Sequence, residues 1–177
     1  MRRVTLGVFA AVGLAGLTAG TTVTRAQHAH GGAGAQGHQV AQTCASEFEK
    51  VVGEGRGFGL AFVADQNGYP GPMHVLELRD RLRLTVDQEA KARDLMRAMF
   101  AESRPKSARL LEAEARLRRL FAERVADDAV VRATVAEVER ARSEVRLVHL
   151  LAHLKTRDLL TEDQRRLYHE TRWGASR

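Results

Sequence analysis

The chain has 177 residues, with 28 Lys and Arg against 22 Asp and Glu and a formal net charge of +6. That length suffices for one domain of ordinary size, and so mild a basic excess in a chain that is 28% charged excludes the concentrated basic footprint of a nucleic-acid binder. Three prolines, all after residue 69, and an aromatic content of 5% favour helices over a sheet.

The chain begins with Arg2 and Arg3, followed by an uncharged apolar run from Val4 to Ala19 and then Thr24-Arg25-Ala26. A positive start, an apolar run and a small residue at the cut are the order of a secretory signal peptide, so residues 1–26 are read as one and the chain as periplasmic. The run is short for a membrane span, although an uncleaved N-terminal anchor is the alternative. The paired arginines leave the export route open. Removal of residues 1–26 takes away Arg2, Arg3 and Arg25 and no acid, which leaves 25 basic against 22 acidic residues and a net charge of +3.

Residues 27–46 read as a disordered leader, because Gly31, Gly32, Gly34 and Gly37 among Ala, Gln and His offer nothing to bury. His28, His30 and His38, behind a new N-terminus at Gln27, form either a weak copper, nickel or zinc scavenger or an incidental polar leader. The single cysteine, Cys44, has no intramolecular partner; it pairs between chains, binds metal or stays idle. It lies too far from the signal segment for lipid attachment.

Residues 47–72 carry short helical patterns interrupted by Gly53, Gly55, Gly57 and Gly59, ending in the turn cluster Asn67-Gly68-Tyr69-Pro70-Gly71-Pro72. Pro72 is suited to open a helix over Met73 to Leu82. From there to residue 177 the chain reads as one helical domain.

Leu84-Thr85-Val86-Asp87-Gln88 and Leu160-Thr161-Glu162-Asp163-Gln164 repeat the same pattern. Each is a capping box: the Thr hydroxyl accepts from the third amide of the helix, and the Gln there reaches back to the cap's own amide. Each Asp complements the positive end of the helix dipole. Each Leu stands just outside the helix and can enter the core. The first box starts a helix to about Val125, with Met96, Met99, Phe100, Leu110, Leu117, Leu120 and Phe121 at three- and four-residue steps. Pro105 should kink it.

Asp127 and Asp128 mark a hairpin turn. The next helix runs to about Asp158, with Val131, Val135, Val138, Val145, His149 and Ala152 along one face. Leu147, Leu150, Leu151 and Leu154 cover its other side, so the end of this helix is apolar nearly all round and should be covered from more than one side, by the last helix or by a second subunit. A homodimer is therefore expected. The fold class is all-α, a long antiparallel hairpin flanked by shorter helices.

Two Leu-Thr-x-x-Gln boxes, in an exported helical chain of this size, resemble the Spy/CpxP family of periplasmic stress proteins over residues 69 to 173. The resemblance implies a curved, cradle-like dimer of helical hairpins. It further implies ATP-independent holding of unfolding envelope proteins, or an adaptor role beside a membrane-bound sensor. A related branch, of periplasmic heavy-metal sensors and resistance proteins, shares the hairpin and carries histidine-based metal sites. The glycine-rich segment before Tyr69 departs from the chaperone branch.

His149 and His153, one turn apart, place two imidazoles on one helix face, the beginning of a zinc, nickel, cobalt or copper site or else a packed pair bonded across the hairpin. The fold-back about Asp127 sets them opposite residues 101 to 105, with Glu102 a possible neighbour. His74 and Glu77, at i and i+3, are further candidate ligands. Met96 and Met99 suit soft copper(I) or an adaptable core. Arg116 to Arg124, interspersed with Glu123, reads as a solvated face that can also meet acidic segments of client proteins or a membrane surface. The sequence has no Gly-x-Ser-x-Gly, phosphate loop or His-Glu-x-x-His, and no enzymatic activity is expected.

Overall fold

In the computed structural model, which describes residues 31–174, the two capping boxes organise the fold. Helix α5 (Val86–Ala122) starts at Thr85, whose hydroxyl accepts from the Gln88 amide at 3.1 Å while Gln88 Oε1 accepts from the Thr85 amide at 3.0 Å. Helix α7 (Glu162–Trp173) starts at Thr161 in the same way, at 3.2 and 3.0 Å. The boxes then lock onto each other. Gln88 Nε2 donates to Gln164 Oε1 at 2.8 Å and to the Leu159 carbonyl at 2.8 Å. Gln164 Nε2 returns the bond to Gln88 Oε1 at 3.0 Å and donates to the Leu82 carbonyl at 3.2 Å.

Between the boxes, α5 and α6 (Asp128–Leu159) form the antiparallel hairpin. Bridges whose partners run backward along α6 as α5 advances fix the direction: Ser103 meets His149 at 3.2 Å, Glu114 meets Arg142 at 2.5 Å, and Arg116 meets Glu137 at 2.7 Å. Helix α5 ends at Ala122 and the chain turns through Arg124, which has a left-handed backbone (φ 59°). Asp127 caps α6, accepting from the Val130 amide at 2.9 Å. Helix α5 is continuous through Pro105, whose ring faces solvent, where water can reach the carbonyl its missing N–H leaves unpaired.

Four shorter helices pack on this frame: α1 (Gly31–Gly53), α2 (Phe62–Asp65), α3 (Pro72–Glu77) and α4 (Arg79–Leu82). With α5, α6 and α7 they make seven helices, and there is no strand among the described residues. One buried cluster, Val75, Leu82, Ala92, Leu160 and Tyr168, lies under the two boxes and includes Leu160 as foreseen. A second, Val52, Leu110, Ala113, Val138 and Val145, joins α1 to the middle of the hairpin.

Three sequence expectations differ from the structure. Residues 31–46, read as a disordered leader, belong to helix α1. Phe48 and Val52 anchor its C-terminal end on the hairpin, and Glu49 pairs with Arg118 at 2.5 Å, so the helix propagates outward through Ala, Gln and Glu once nucleated. Every described side chain from residue 37 to 47 remains exposed. The helix expected from Met73 to Leu82 is two, divided at Leu78, with Pro72 at the first position of α3. Val135, placed with the core face of α6, is exposed, because no residue from 114 to 137 is buried.

Candidate functional site: a histidine-lined cleft

Beside α6 the glycine-rich segment, α2, α3 and the end of α7 enclose a cleft of about 600 Å3. Its apolar walls include Phe62, Met73, Met99 and Trp173, and its polar groups include His74, His149, His153 and Arg172. Volume and lining are of the kind that holds a small ligand. Phe62 and Trp173 meet edge to face at its rim, ring centroids 5.3 Å apart.

Each imidazole has one nitrogen committed by its partner. His153 Nδ1 lies 2.6 Å from the Tyr69 carbonyl, which only accepts, so Nδ1 carries the proton and Nε2 a lone pair. His74 Nδ1 lies 3.2 Å from Asp65 Oδ1 and donates to that carboxylate. Ser103 gives its hydroxyl proton to the Gly55 carbonyl at 2.8 Å and therefore accepts from His149 Nε2 at 3.2 Å, leaving His149 Nδ1 bare. The rings of His74 and His153 stand 5.9 Å apart, edge to face.

Two glycines make room for these rings. A Cβ on Gly71 would fall 2.8 Å from His153 Nε2, and one on Gly57 would fall 3.1 Å from the His149 ring. At Gly71 a side chain would force His153 to shift, and at Gly57 the His149 ring would have to give by a few tenths of an ångström.

Asp65 is the buried charge of the site. It accepts from the Tyr168 hydroxyl, from His74, and from Arg172 Nε at 2.8 Å. Burial alone would raise its pKa; the hydrogen bonds from His74, Tyr168 and Arg172 outweigh that and hold it at about 2. The same burial, with Asp65 beside it, pushes the Tyr168 hydroxyl far above its ordinary value. Burial, and then the proximity of His153, lowers His149 to about 4. His153 is lowered by burial too, against the opposing bond to Tyr69. Both α6 imidazoles are thus neutral at ordinary pH, the form in which a ring nitrogen can accept.

The structure therefore brings His149, His153 and His74 to one cleft and leaves other candidates out of it. Glu77 is exposed and does not line the cleft, since it follows His74 on the outer side of α3. Glu102 is turned to solvent, bonded by Lys106 at 2.6 Å. His38 and Cys44 are exposed on α1. Met96 is half-buried outside the cleft, while Met99 is buried and lines it. His28, His30 and the expected signal segment, residues 1–26, lie outside the described residues. Among the described residues no three His, Cys, Asp or Glu side chains are placed to hold a metal ion, and no helix is long and apolar enough to cross a membrane.

Sequence reasoning missed Asp65, Ser103, Tyr168 and Arg172. The available signal was Asp65 itself, a lone acid at the end of the apolar run Leu60 to Ala64. On the opposite side of α6, Leu147, Leu151 and Leu154 are 56%, 44% and 42% exposed, with Arg146 and Lys155 beside them. Among the described residues no other helix covers that stripe.

No family model, no curated protein and no solved structure matches this chain.

Proposed function

We propose that the chain is exported to the periplasm and there holds unfolding envelope proteins without ATP, as a chaperone or envelope-stress adaptor of the Spy/CpxP type. The observation that carries this reading is the uncovered stripe Leu147, Leu151 and Leu154 beside exposed Arg146 and Lys155. Apolar area supplies affinity at roughly 25 cal/mol per Å2, and the flanking charge supplies fast, salt-sensitive encounter. Neither contribution requires a fixed client sequence. The same stripe suits a second copy of the chain, and a homodimer with two such faces forms the cradle that the family resemblance implies. A membrane-bound sensor is the further partner that an adaptor role requires. The test is suppression of aggregation of a denatured model substrate by the purified chain without ATP, together with sedimentation. Expected are suppression that weakens in high salt, loss of suppression in Leu147→Glu/Leu151→Glu, and a dimer mass. Aggregation curves identical with and without the protein overturn the reading.

A second reading, a periplasmic metal sensor or metal-resistance protein on the same hairpin, is supported by one observation. Three imidazoles in one cleft each have one N–H fixed by a carbonyl, carboxylate or hydroxyl, which orients the other nitrogen. That is how proteins orient histidines that ligate metals. Dialysis against nickel, cobalt, copper and zinc, followed by metal analysis, tests it.

A further inference from the structure

Two thioethers share the cleft with the imidazoles. Met73 immediately precedes His74 on α3, and Met99 approaches from α5. The donor set thus combines imidazole with thioether, both borderline to soft; of the two carboxylates that line the cleft, Asp65 is already occupied by Arg172, Tyr168 and His74, and Glu47 is exposed on α1.

From this we infer that the cleft takes a soft monovalent cation, copper(I), between His74 and His153 with a thioether of Met73 or Met99 as third ligand. The inference rests on the metal reading above and narrows it to one class of ion. Three observations favour copper(I) over the divalent ions.

The first is ligand number. Zinc and its divalent neighbours need three or four nitrogen, oxygen or thiolate ligands, and no three His, Cys, Asp or Glu groups are placed for that among the described residues. Thioether ligands select copper(I), which is satisfied by two or three donors. The second is charge. Asp65 carries the buried negative charge and Arg172 already balances it at 2.8 Å. A divalent ion would leave two uncompensated charges in a largely desolvated site, and a monovalent ion leaves one.

The third is space. An ion about 2 Å from two ring nitrogens holds their ring centroids roughly 6 Å apart, and the rings of His74 and His153 are 5.9 Å apart. Gly71 leaves open the position next to His153 Nε2 that a Cβ would occupy at 2.8 Å. The Asp65 carboxylate holds His74 with Nδ1 as donor, and the Tyr69 carbonyl does the same for His153, so in both rings Nε2 is the nitrogen left to meet an ion. No electron transfer is part of the proposal; the ion is bound and released as copper(I).

The experiment is an anaerobic titration of the chain lacking its signal segment with copper(I), in competition with bicinchoninate, alongside titrations with silver(I), zinc(II), nickel(II) and cobalt(II). One equivalent of copper(I) should be withheld from the competitor. His74→Gln and His153→Gln should each weaken binding at least about tenfold, as should at least one of Met73→Leu and Met99→Leu. Met96→Leu, outside the cleft, should bind as the parent does. Should the glutamine variants fail to fold, nitrogen NMR of the parent chain decides: silver(I) must shift Nε2 of His74 and His153. Silver(I) that leaves both nitrogens unmoved overturns the inference. So does copper(I) retention that survives both histidine substitutions, or that vanishes when His28, His30 and His38 are replaced. Stoichiometric zinc(II), nickel(II) or cobalt(II) with no hold on copper(I) or silver(I) overturns the soft cation and spares the metal reading. No hold on any of the five ions overturns both.

Discussion

At the end of the hairpin where α5 begins and α6 stops, Gln88 and Gln164 bond each other over a core of Val75, Leu82, Ala92, Leu160 and Tyr168. At the other end, from residue 114 to 137, no side chain is buried, Phe121 and Val125 face solvent, and α5 meets α6 through ion pairs such as Arg116 with Glu137. The same two helices are thus clamped at one end and loosely tied at the other. Local stability follows buried apolar area, so the far end should open at a small fraction of the global unfolding free energy while the boxed end opens only with the whole domain. The functional features follow the same gradient. The cleft, which needs fixed ring orientations, lies near the clamped end. The exposed leucine stripe on α6 runs along the part of the hairpin beside it.

Truncation of Leu82 at the clamped end should give the largest effect. Leu82 is 2% exposed, and Leu82→Ala should cost about 3 kcal/mol in a urea unfolding curve. At the far end Phe121→Ala, with a side chain already in water, should change stability by less than about 0.5 kcal/mol. Equal losses at the two positions would break the comparison.

Acid should act next most strongly, and only near the cleft. His149 has an ordinary pKa of 6.5 and is held at about 4 by burial and then by His153. Between those values the unfolded chain binds a proton that the folded chain does not, so stability is lost as pH falls from 6.5 to 4 and the loss levels off below. The span is on the order of 3 kcal/mol. Asp65, held at about 2 against 3.8, continues the trend: its contribution is complete above 3.8 and is lost as pH falls toward 2. Urea unfolding at pH 7, 5 and 3 reads both windows. His149→Gln should shrink the first to the share that His153, also lowered by burial, carries, and leave the second; a variant with the parent's slope between 6.5 and 4 would assign that window to another group.

The interlock of the boxes should rank third. A capping box accepts Glu as readily as Gln at its third position, but only Gln has an amino group for the partner helix. Gln88→Glu should therefore keep the local cap and still cost about 1 kcal/mol through the lost bonds to Gln164 and the Leu159 carbonyl. Thr161→Ala, which removes the cap hydroxyl itself, should cost about the same. A neutral Gln88→Glu would show that the cross-helix bonds add nothing in water.

These positions also show how far the sequence is legible. The boxes and the hairpin are written in residues three and four apart, and helix signals at that range are local, so Thr85 and Thr161 could be named as caps and the α5–α6 turn placed at Asp127. The bond between Gln88 and Gln164 joins residues 76 apart and leaves one trace, the choice of Gln over Glu at both boxes. The cleft was half legible. His149 and His153 announce themselves by spacing, and folding back about Asp127 put them opposite Ser103 as geometry requires. Gly57 and Gly71 contribute by having no side chain, which composition registers only as irregular chain. For α1 the glycine count outweighed the anchors Phe48 and Val52, whose partners lie on distant helices.

The smallest predicted effect bears most directly on the far end. Arg116 meets Glu137 at 2.7 Å across the hairpin, with the two side chains 45% and 53% exposed. Both charges keep most of their water, and holding two long side chains in one geometry offsets part of the attraction. A double-mutant cycle of Arg116→Ala and Glu137→Ala should give a coupling below about 0.5 kcal/mol. Because the pair is exposed, added salt should reduce it further. Amide exchange in the stretch 114 to 137 should then quicken only slightly in either variant, since the pair is not what limits opening there. A coupling above about 1 kcal/mol that survives high salt would mean the far end is clamped by its charges as firmly as the other end is by its core. The graded opening along the hairpin would then have to be abandoned.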